Sequence, residues 1–154
     1  MSDSDHFSSA IHAGGFEPTQ FIETARMHGH SGKIGIRYNG HGDDWVELSF
    51  DWHEKLVGDS ATGTTASGPI ITLMDMASSL SIWVRSGRYI PQVTLDLRVD
   101  YLRPARPHHT VHGRCECYRM TRSIAFVRGQ AHDGDPQDPL AHVAGTFIFL
   151  DNPA

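Results

Sequence analysis

Hydrophobic and polar positions change period several times along the chain, and each change marks an element. From Phe16 to about Met27, residues Phe21, Ile22, Ala25 and Met27 recur at roughly helical spacing. They predict a short helix closing in the His28-Gly29-His30 region. The period then becomes two. Ile34, Ile36 and Tyr38 alternate with Lys33, Gly35 and Arg37, and the run Asn39-Gly40-His41-Gly42-Asp43 supplies a turn. Val46, Leu48, Phe50 and Trp52 then alternate with Trp45, Glu47, Ser49 and Asp51. This is the pattern of an antiparallel hairpin with one apolar face. A polar loop is predicted over about 53–66.

Ser67 to about Ser86 reads differently. Ile70, Ile71, Leu73, Met74, Ala77, Leu80, Ser81 and Val84 repeat at helical spacing, with apolar character almost all the way round, so this helix must be buried. Gly68-Pro69 starts it and the Gly87 region stops it. Four strand-like segments follow, over about 93–102, 110–119, 123–131 and 141–150. In the clearest, Val93, Leu95, Leu97, Val99 and Tyr101 share one face, and Thr94, Asp96, Arg98 and Asp100 share the other. The order predicts an α+β domain in which a curved six-stranded antiparallel sheet wraps one long central helix. Residues 1–15, rich in Ser, Asp, His and Gly, are expected to be a loose arm, leaving 16–154 as a single domain.

Charge adds a constraint. The formal net charge is −5, which argues against a general nucleic-acid binder. The split is more telling: Arg85–Arg128 holds nine arginines and three acids, a balance of +6, and the rest of the chain carries −11. Such a segment suits a phosphate-bearing small molecule, because the guanidinium fork matches phosphate geometry. Ordinary outward-facing strand arginines are the plainer alternative. Cys115 and Cys117 would point to one face of a strand, a poor disulfide geometry, and two thiols do not close a zinc site. The N-terminus shows no signal-peptide pattern, and the longest nearly uncharged run, Ile70–Val84, is shorter than the ~20 residues of a membrane span. A cytoplasmic location is expected, with no membrane partner.

Asp75 is the most informative residue. It is the one charged residue between Ile70 and Val84, inside a helix that must be buried, and a lone carboxylate there has to be hydrogen-bonded, protonated or facing a cavity. Thr72, Asp75 and Ser79, with Ser78 beside them, form a narrow polar stripe. Either the stripe satisfies a core Asp, or the carboxylate serves a pocket as base or nucleophile. At the helix start, the amides of Ser67, Gly68, Ile70 and Ile71 and the helix dipole attract a negative oxygen. His108, His109 and His112 are too extended for a compact ligand set, and His28-Gly29-His30 has no acidic or Cys partner nearby, so no metal is expected.

The runs Ser67-Gly68-Pro69-Ile70-Ile71-Thr72-Leu73-Met74-Asp75-Met76-Ala77 and Val93-Thr94-Leu95-Asp96-Leu97-Arg98-Val99-Asp100-Tyr101-Leu102-Arg103-Pro104-Ala105 resemble the hotdog-fold acyl-CoA thioesterases of the phenylacetate-degradation (PaaI-like) type. The resemblance spans about residues 20–150. It implies hydrolysis of an acyl-CoA thioester in a homodimer or homotetramer joined edge to edge, with active sites at the subunit interface. Asp75 takes the place of the general base or nucleophile, Ser67 or Gly68 that of the oxyanion amide, and Thr94 that of a water-orienting hydroxyl. Arg103, Arg106, Arg119 and Arg122 are candidates for the CoA phosphates. CoA is part of the substrate, and no separate cofactor is implied. Leu73, Met76, Leu80 and Trp83 would line an acyl tunnel if they faced the seam. One departure stands out: the family commonly opens the helix with His-Gly-Gly, and this chain has Ala66-Ser67-Gly68. A non-catalytic acyl-CoA-binding protein is therefore the alternative. A hydratase is a third reading, disfavoured because Ile70–Val84 has no His.

Overall fold

The computed structural model describes residues 16–150; the predicted arm at 1–15 lies outside the described residues. Two short helices, α1 (Pro18–Met27) and α2 (Gly29–Ile34), precede strands β1 (Arg37–His41) and β2 (Trp45–Phe50). A helical turn at Glu54–Leu56 leads into a small ribbon, β3 (Val57–Asp59) and β4 (Thr64–Thr65). Then come α3 (Ser67–Ser86), β5 (Gln92–Tyr101), β6 (Val111–Met120), β7 (Ile124–His132) and β8 (Ala141–Phe149). Six strands form one antiparallel sheet in the order β1-β2-β6-β7-β8-β5. The expected architecture, a hotdog fold, is the one observed.

Two local expectations are corrected. Ile34 ends α2 rather than opening a strand, because Gly35 adopts a left-handed conformation (φ 79) and donates to the carbonyls of Ser31 and Gly32. The polar loop at 53–66 is partly ordered as the ribbon. Its ends are fixed by Ala66 N–H donating to the Leu56 carbonyl (2.8 Å) and by the Trp52 indole donating to the Gly63 carbonyl (2.8 Å). That second bond takes Trp52 out of the apolar face predicted for it.

The long helix is buried as its pattern requires. Leu73, Met74, Ala77, Leu80 and Ile82 are fully covered, opposite Val46, Leu48, Phe50, Val111, Cys115, Cys117, Val127 and Phe147 of the sheet. Gly113 on β6 lets the helix approach the sheet. A Cβ at Gly113 would come within 2.7 Å of Met74 Sδ and 2.9 Å of Leu73 Cδ2. Gly113→Ala is therefore expected to lower stability by about 1–3 kcal/mol through overpacking. Urea denaturation should show this as a reduced midpoint with an unchanged slope.

Phe16 and Phe21 pack on Trp83 with ring centroids 5.2 Å apart in each case, tying α1 to the C-terminal half of α3. At the sheet's end, β5 has one edge without a strand partner among the described residues. Its residues Val93, Leu95 and Tyr101 are 45%, 60% and 45% exposed. No helix among the described residues is long and apolar enough to cross a membrane.

Candidate active site

The start of α3 is open by composition. Ala66, the N-cap, has no side-chain acceptor to offer, and its own N–H is bound by Leu56. Pro69 has no N–H. By the i→i−4 pattern, Ile70 is the first residue paired within the helix, with Ala66. This narrows the amides expected at the helix start from four to two, those of Ser67 and Gly68. Space beside Gly68 is open, with nothing within 4 Å of where a Cβ would sit. Tyr101 Oη donates to the Ser67 carbonyl at 3.3 Å, bringing β5 against this end. Burial pushes the Tyr101 hydroxyl above its ordinary pKa, an effect that bond opposes.

Asp75 lies one face along the same helix. It is half-buried rather than enclosed, and so accessible, on a helix whose other faces are buried as its pattern requires. Thr94 Oγ1 donates to Asp75 Oδ1 at 2.7 Å. This contact corrects the unbroken alternation predicted for β5. Thr94 pairs with Phe147 and Asp96 with Thr146, leaving Leu95 as an extra, bulged residue. Directly paired residues share a face, so the bulge turns Gln92 and Thr94 toward the helix together with the buried Phe147 and Phe149. Beyond it, Leu97 and Val99 take the inward phase. Gln92 Nε2 accordingly donates to the Ser79 carbonyl at 3.0 Å, one turn past Asp75. Thr94 therefore sits on the inner face, and Val93 on the outer one.

On the other flank, α2 places His30 Nε2 at 3.0 Å from Thr72 Oγ1. Thr72 has one hydroxyl hydrogen, directed to the Gly68 carbonyl at 3.1 Å. That assigns the donor role to His30 Nε2–H and leaves Nδ1 as an acceptor in the neutral ring. His30 and Tyr101 are site neighbours that the sequence pattern does not reveal: His30 lies in a short His-Gly-His run with no local partner, and Tyr101 reads as one more alternating strand residue. Among the described residues, no group of three His, Cys, Asp or Glu side chains is placed to hold a metal ion. Cys115 and Cys117 are free, and burial pushes their thiols up to about 12 and about 11, so neither is poised as a thiolate nucleophile.

The four candidate phosphate arginines do not converge. Arg103 grips Asp133 through two bonds (2.9 and 2.7 Å) and Arg106 bonds Asp138 at 2.7 Å. This pair stands near the N-terminal end of α3, just past Tyr101. Exposed Arg119 and Arg122 flank the β6–β7 turn, near the C-terminal end of α3, where Arg85 donates to the Cys117 carbonyl. Among the described residues, four of the nine arginines in Arg85–Arg128 are ion-paired: Arg103 and Arg106 to acids outside that segment, Arg98 to Asp100 and Arg128 to Glu116 within it. Arg114 stacks 3.6 Å over the Trp45 ring. Of the residues suggested for an acyl tunnel, Leu73, Leu80 and Trp83 belong to the core. The exposed apolar side chain next to the stripe is Ile71.

A family model described as the thioesterase superfamily matches residues 62–140. A protein of known structure from Pseudomonas aeruginosa is 34% identical, over 85% of this chain and 95% of its own, with a TM-score of 0.74. The chain belongs to the thioesterase superfamily. A thioesterase from Haemophilus influenzae (17% identity, 86% and 92% of the two chains, TM-score 0.74) shares its fold. So does the PaaI protein of the E. coli phenylacetic acid degradation operon (12%, 88% and 95%, TM-score 0.72). No curated protein matches the chain. The span matched to the thioesterase superfamily holds α3 and β5, hence Ser67, Gly68, Asp75 and Thr94, whereas His30 on α2 lies outside it.

Proposed function

We propose that this thioesterase-superfamily chain hydrolyses an acyl-CoA thioester to the free acid and CoA. The observation that carries this reading is the Thr94–Asp75 hydrogen bond of 2.7 Å on the helix whose first two amides are uncapped. Thr94 gives its hydroxyl hydrogen to Oδ1, which fixes the carboxylate and leaves Oδ2 for a water. In the general-base route, Oδ2 takes a proton from that water as the water oxygen bonds to the thioester carbon. The Ser67 and Gly68 amides receive the developing oxyanion. The C–S bond then breaks, and the proton held on Asp75 passes to the departing thiolate. In the nucleophilic route, Asp75 itself forms the bond to the acyl carbon as the C–S bond breaks and the CoA thiolate leaves. Water then cleaves the resulting mixed anhydride to the free acid and the Asp75 carboxylate, and a proton it releases goes to the thiolate.

An edge-to-edge homodimer is part of this proposal. Support comes from β5, which presents an edge unpaired among the described residues and the exposed apolar side chains Val93 and Leu95. Pairing two β5 strands would bring Asp75 and Thr94 of each copy to the seam. The buried free thiols fit a reducing compartment and so a cytoplasmic location.

The test is a panel of acyl-CoAs with free thiol followed in time. Release from at least one member is expected. Calorimetric binding of CoA esters with no thiol release across the panel would instead leave the non-catalytic reading standing. His30 beside the stripe gives a hydratase reading one point of support, and absorbance change with a 2-enoyl-CoA separates it. Thr94→Val removes a hydrogen bond to a charged group, worth ~1.5–3 kcal/mol. A kcat lowered at least about tenfold, with a melting temperature lower by only a few degrees, is the expected result. An undiminished kcat would take Thr94 out of the mechanism.

A further inference from the structure

Outside the arginine-rich segment the chain has only four lysines and arginines, Arg26, Lys33, Arg37 and Lys55, against fifteen acids. The fold gathers all four around one cavity of about 370 Å³, where α1, α2, the start of β1 and the Glu54–Leu56 turn meet. The one acidic residue among its described lining, Asp51, is already engaged by Arg37 (2.8 Å) and by the Thr110 hydroxyl (2.8 Å). Those bonds hold the Asp51 carboxyl below its ordinary pKa, so it stays ionised and paired. Among the described residues, the ion-pair partner of Arg26 is Glu23, loose and exposed at 3.6 Å. Lys33 and Lys55 are exposed and form no ion pair among the described residues. In a chain of net charge −5, this is a concentration of uncompensated positive charge in a concave site.

The cavity adjoins the active-site helix at two points. Leu56 lines it, and the Leu56 carbonyl accepts the N–H of Ala66, the N-cap of α3. On its other side, α2 carries Lys33 and, one turn earlier, His30, which reaches Thr72. The cavity is thus joined to the helix start through Leu56 and Ala66, the residue before Ser67 and Gly68.

We propose that this cavity is the subsite for the phosphates of the CoA nucleotide, with Lys33 and Lys55 as its main contacts. The proposal rests on reading the substrate as an acyl-CoA. The ammonium groups act as point charges on phosphate oxygens, while Arg26 and Arg37 contribute field. The alternatives are less well provided. Arg103 and Arg106 are tied to Asp133 and Asp138, and Arg119 and Arg122 stand toward the opposite end of α3 from the helix start. The larger cavity on the outer sheet face, about 540 Å³, sets Glu47 and Glu116 among its arginines and so mixes its signs.

The test compares acyl-CoA with the matching S-acyl-pantetheine, which lacks the phosphates, in the wild type and in a Lys33→Ala/Lys55→Ala variant. Both positions are exposed, so the variant should fold. The wild type's preference in kcat/KM for the CoA ester should collapse about tenfold in the variant, the scale of two partly solvated charge contacts. An unchanged preference overturns the proposal. So does a collapse in Arg119→Ala/Arg122→Ala with none in the lysine variant.

Calorimetry with adenosine 3′,5′-bisphosphate gives a readout independent of turnover. Binding to the wild type and loss in the lysine variant are expected, whereas retained binding overturns the subsite. Inorganic phosphate binding as tightly as the bisphosphate would reduce it to a general anion site, and so would overturn the nucleotide assignment. A wild type that releases no thiol yet binds the bisphosphate through these lysines upholds the subsite, and only the hydrolysis reading then fails.

Discussion

Asp75→Asn should lower kcat for thiol release by about 10²- to 10⁴-fold, the range over which a positioned acid–base group contributes. The substitution is chosen for its geometry. Asparagine keeps an oxygen that can accept the Thr94 hydroxyl hydrogen, now 2.7 Å from Asp75 Oδ1, so the side chain has a reason to stay in place. What changes is the second position, where an NH₂ group replaces Oδ2 and cannot take a proton from water. Because Asp75 is half-buried and not part of the apolar core, the melting temperature should move little. A loss of rate with an intact thermal transition is therefore the expected pair of results. A variant with the full wild-type rate would remove Asp75 from the chemistry, whatever the fate of the thioesterase reading. Label found in Asp75 after a single turnover in heavy-oxygen water would establish the nucleophilic route. In the base route the label enters only the product acid. Attack of water on the side-chain carbon of an anhydride would instead leave the label in Asp75.

Much of this site was legible in the sequence, and the parts that were not have identifiable reasons. Asp75 stood out because a charge in a nearly all-apolar helix has to be accounted for, and its stripe with Thr72 and Ser79 follows from helical geometry alone. The phase of β5 was not legible. Val93, Leu95, Leu97 and Val99 alternate without interruption, yet the bulge at Leu95 reverses the facing of everything before it. Sequence alternation reports which residues avoid water, and an apolar residue exposed at a sheet edge satisfies the pattern as well as a core residue does. His30 was invisible for another reason: its partner is 42 positions away, and no local period couples α2 to α3. Charge behaved similarly. The arginine-rich segment's charge follows from the sequence, but the count could not show that Asp133 and Asp138, from outside it, would tie up Arg103 and Arg106, or that four dispersed cations would share one cavity.

The Arg103–Asp133 pair carries the largest stability effect expected from a single polar substitution. Asp133 has no exposed side-chain surface, and it accepts from Arg103 Nη2 at 2.7 Å, from Arg103 Nη1 at 2.9 Å and from the Arg106 backbone N–H at 2.7 Å. Together these bonds pin the Arg103–Pro107 connection after β5 against the loop after β7. Asp133→Ala would leave Arg103 beside an emptied acceptor and the Arg106 amide without a partner. The loss should be about 3–5 kcal/mol, the cost of breaking a buried ion pair from one side. Acid should reproduce part of it. Burial alone would raise the Asp133 pKa, but the bonds from Arg103 and Arg106 outweigh burial and hold it at about 2, below its ordinary value of 3.8. A carboxylate whose pKa is lowered by folding contributes stability above its unfolded value, and that contribution is lost as pH falls through the folded one. Wild-type stability should therefore decline between about pH 4 and pH 2, with a shallower decline in Asp133→Ala, as followed by urea denaturation at stepped pH. Equal slopes in the two proteins would show that other carboxylates govern the acid transition.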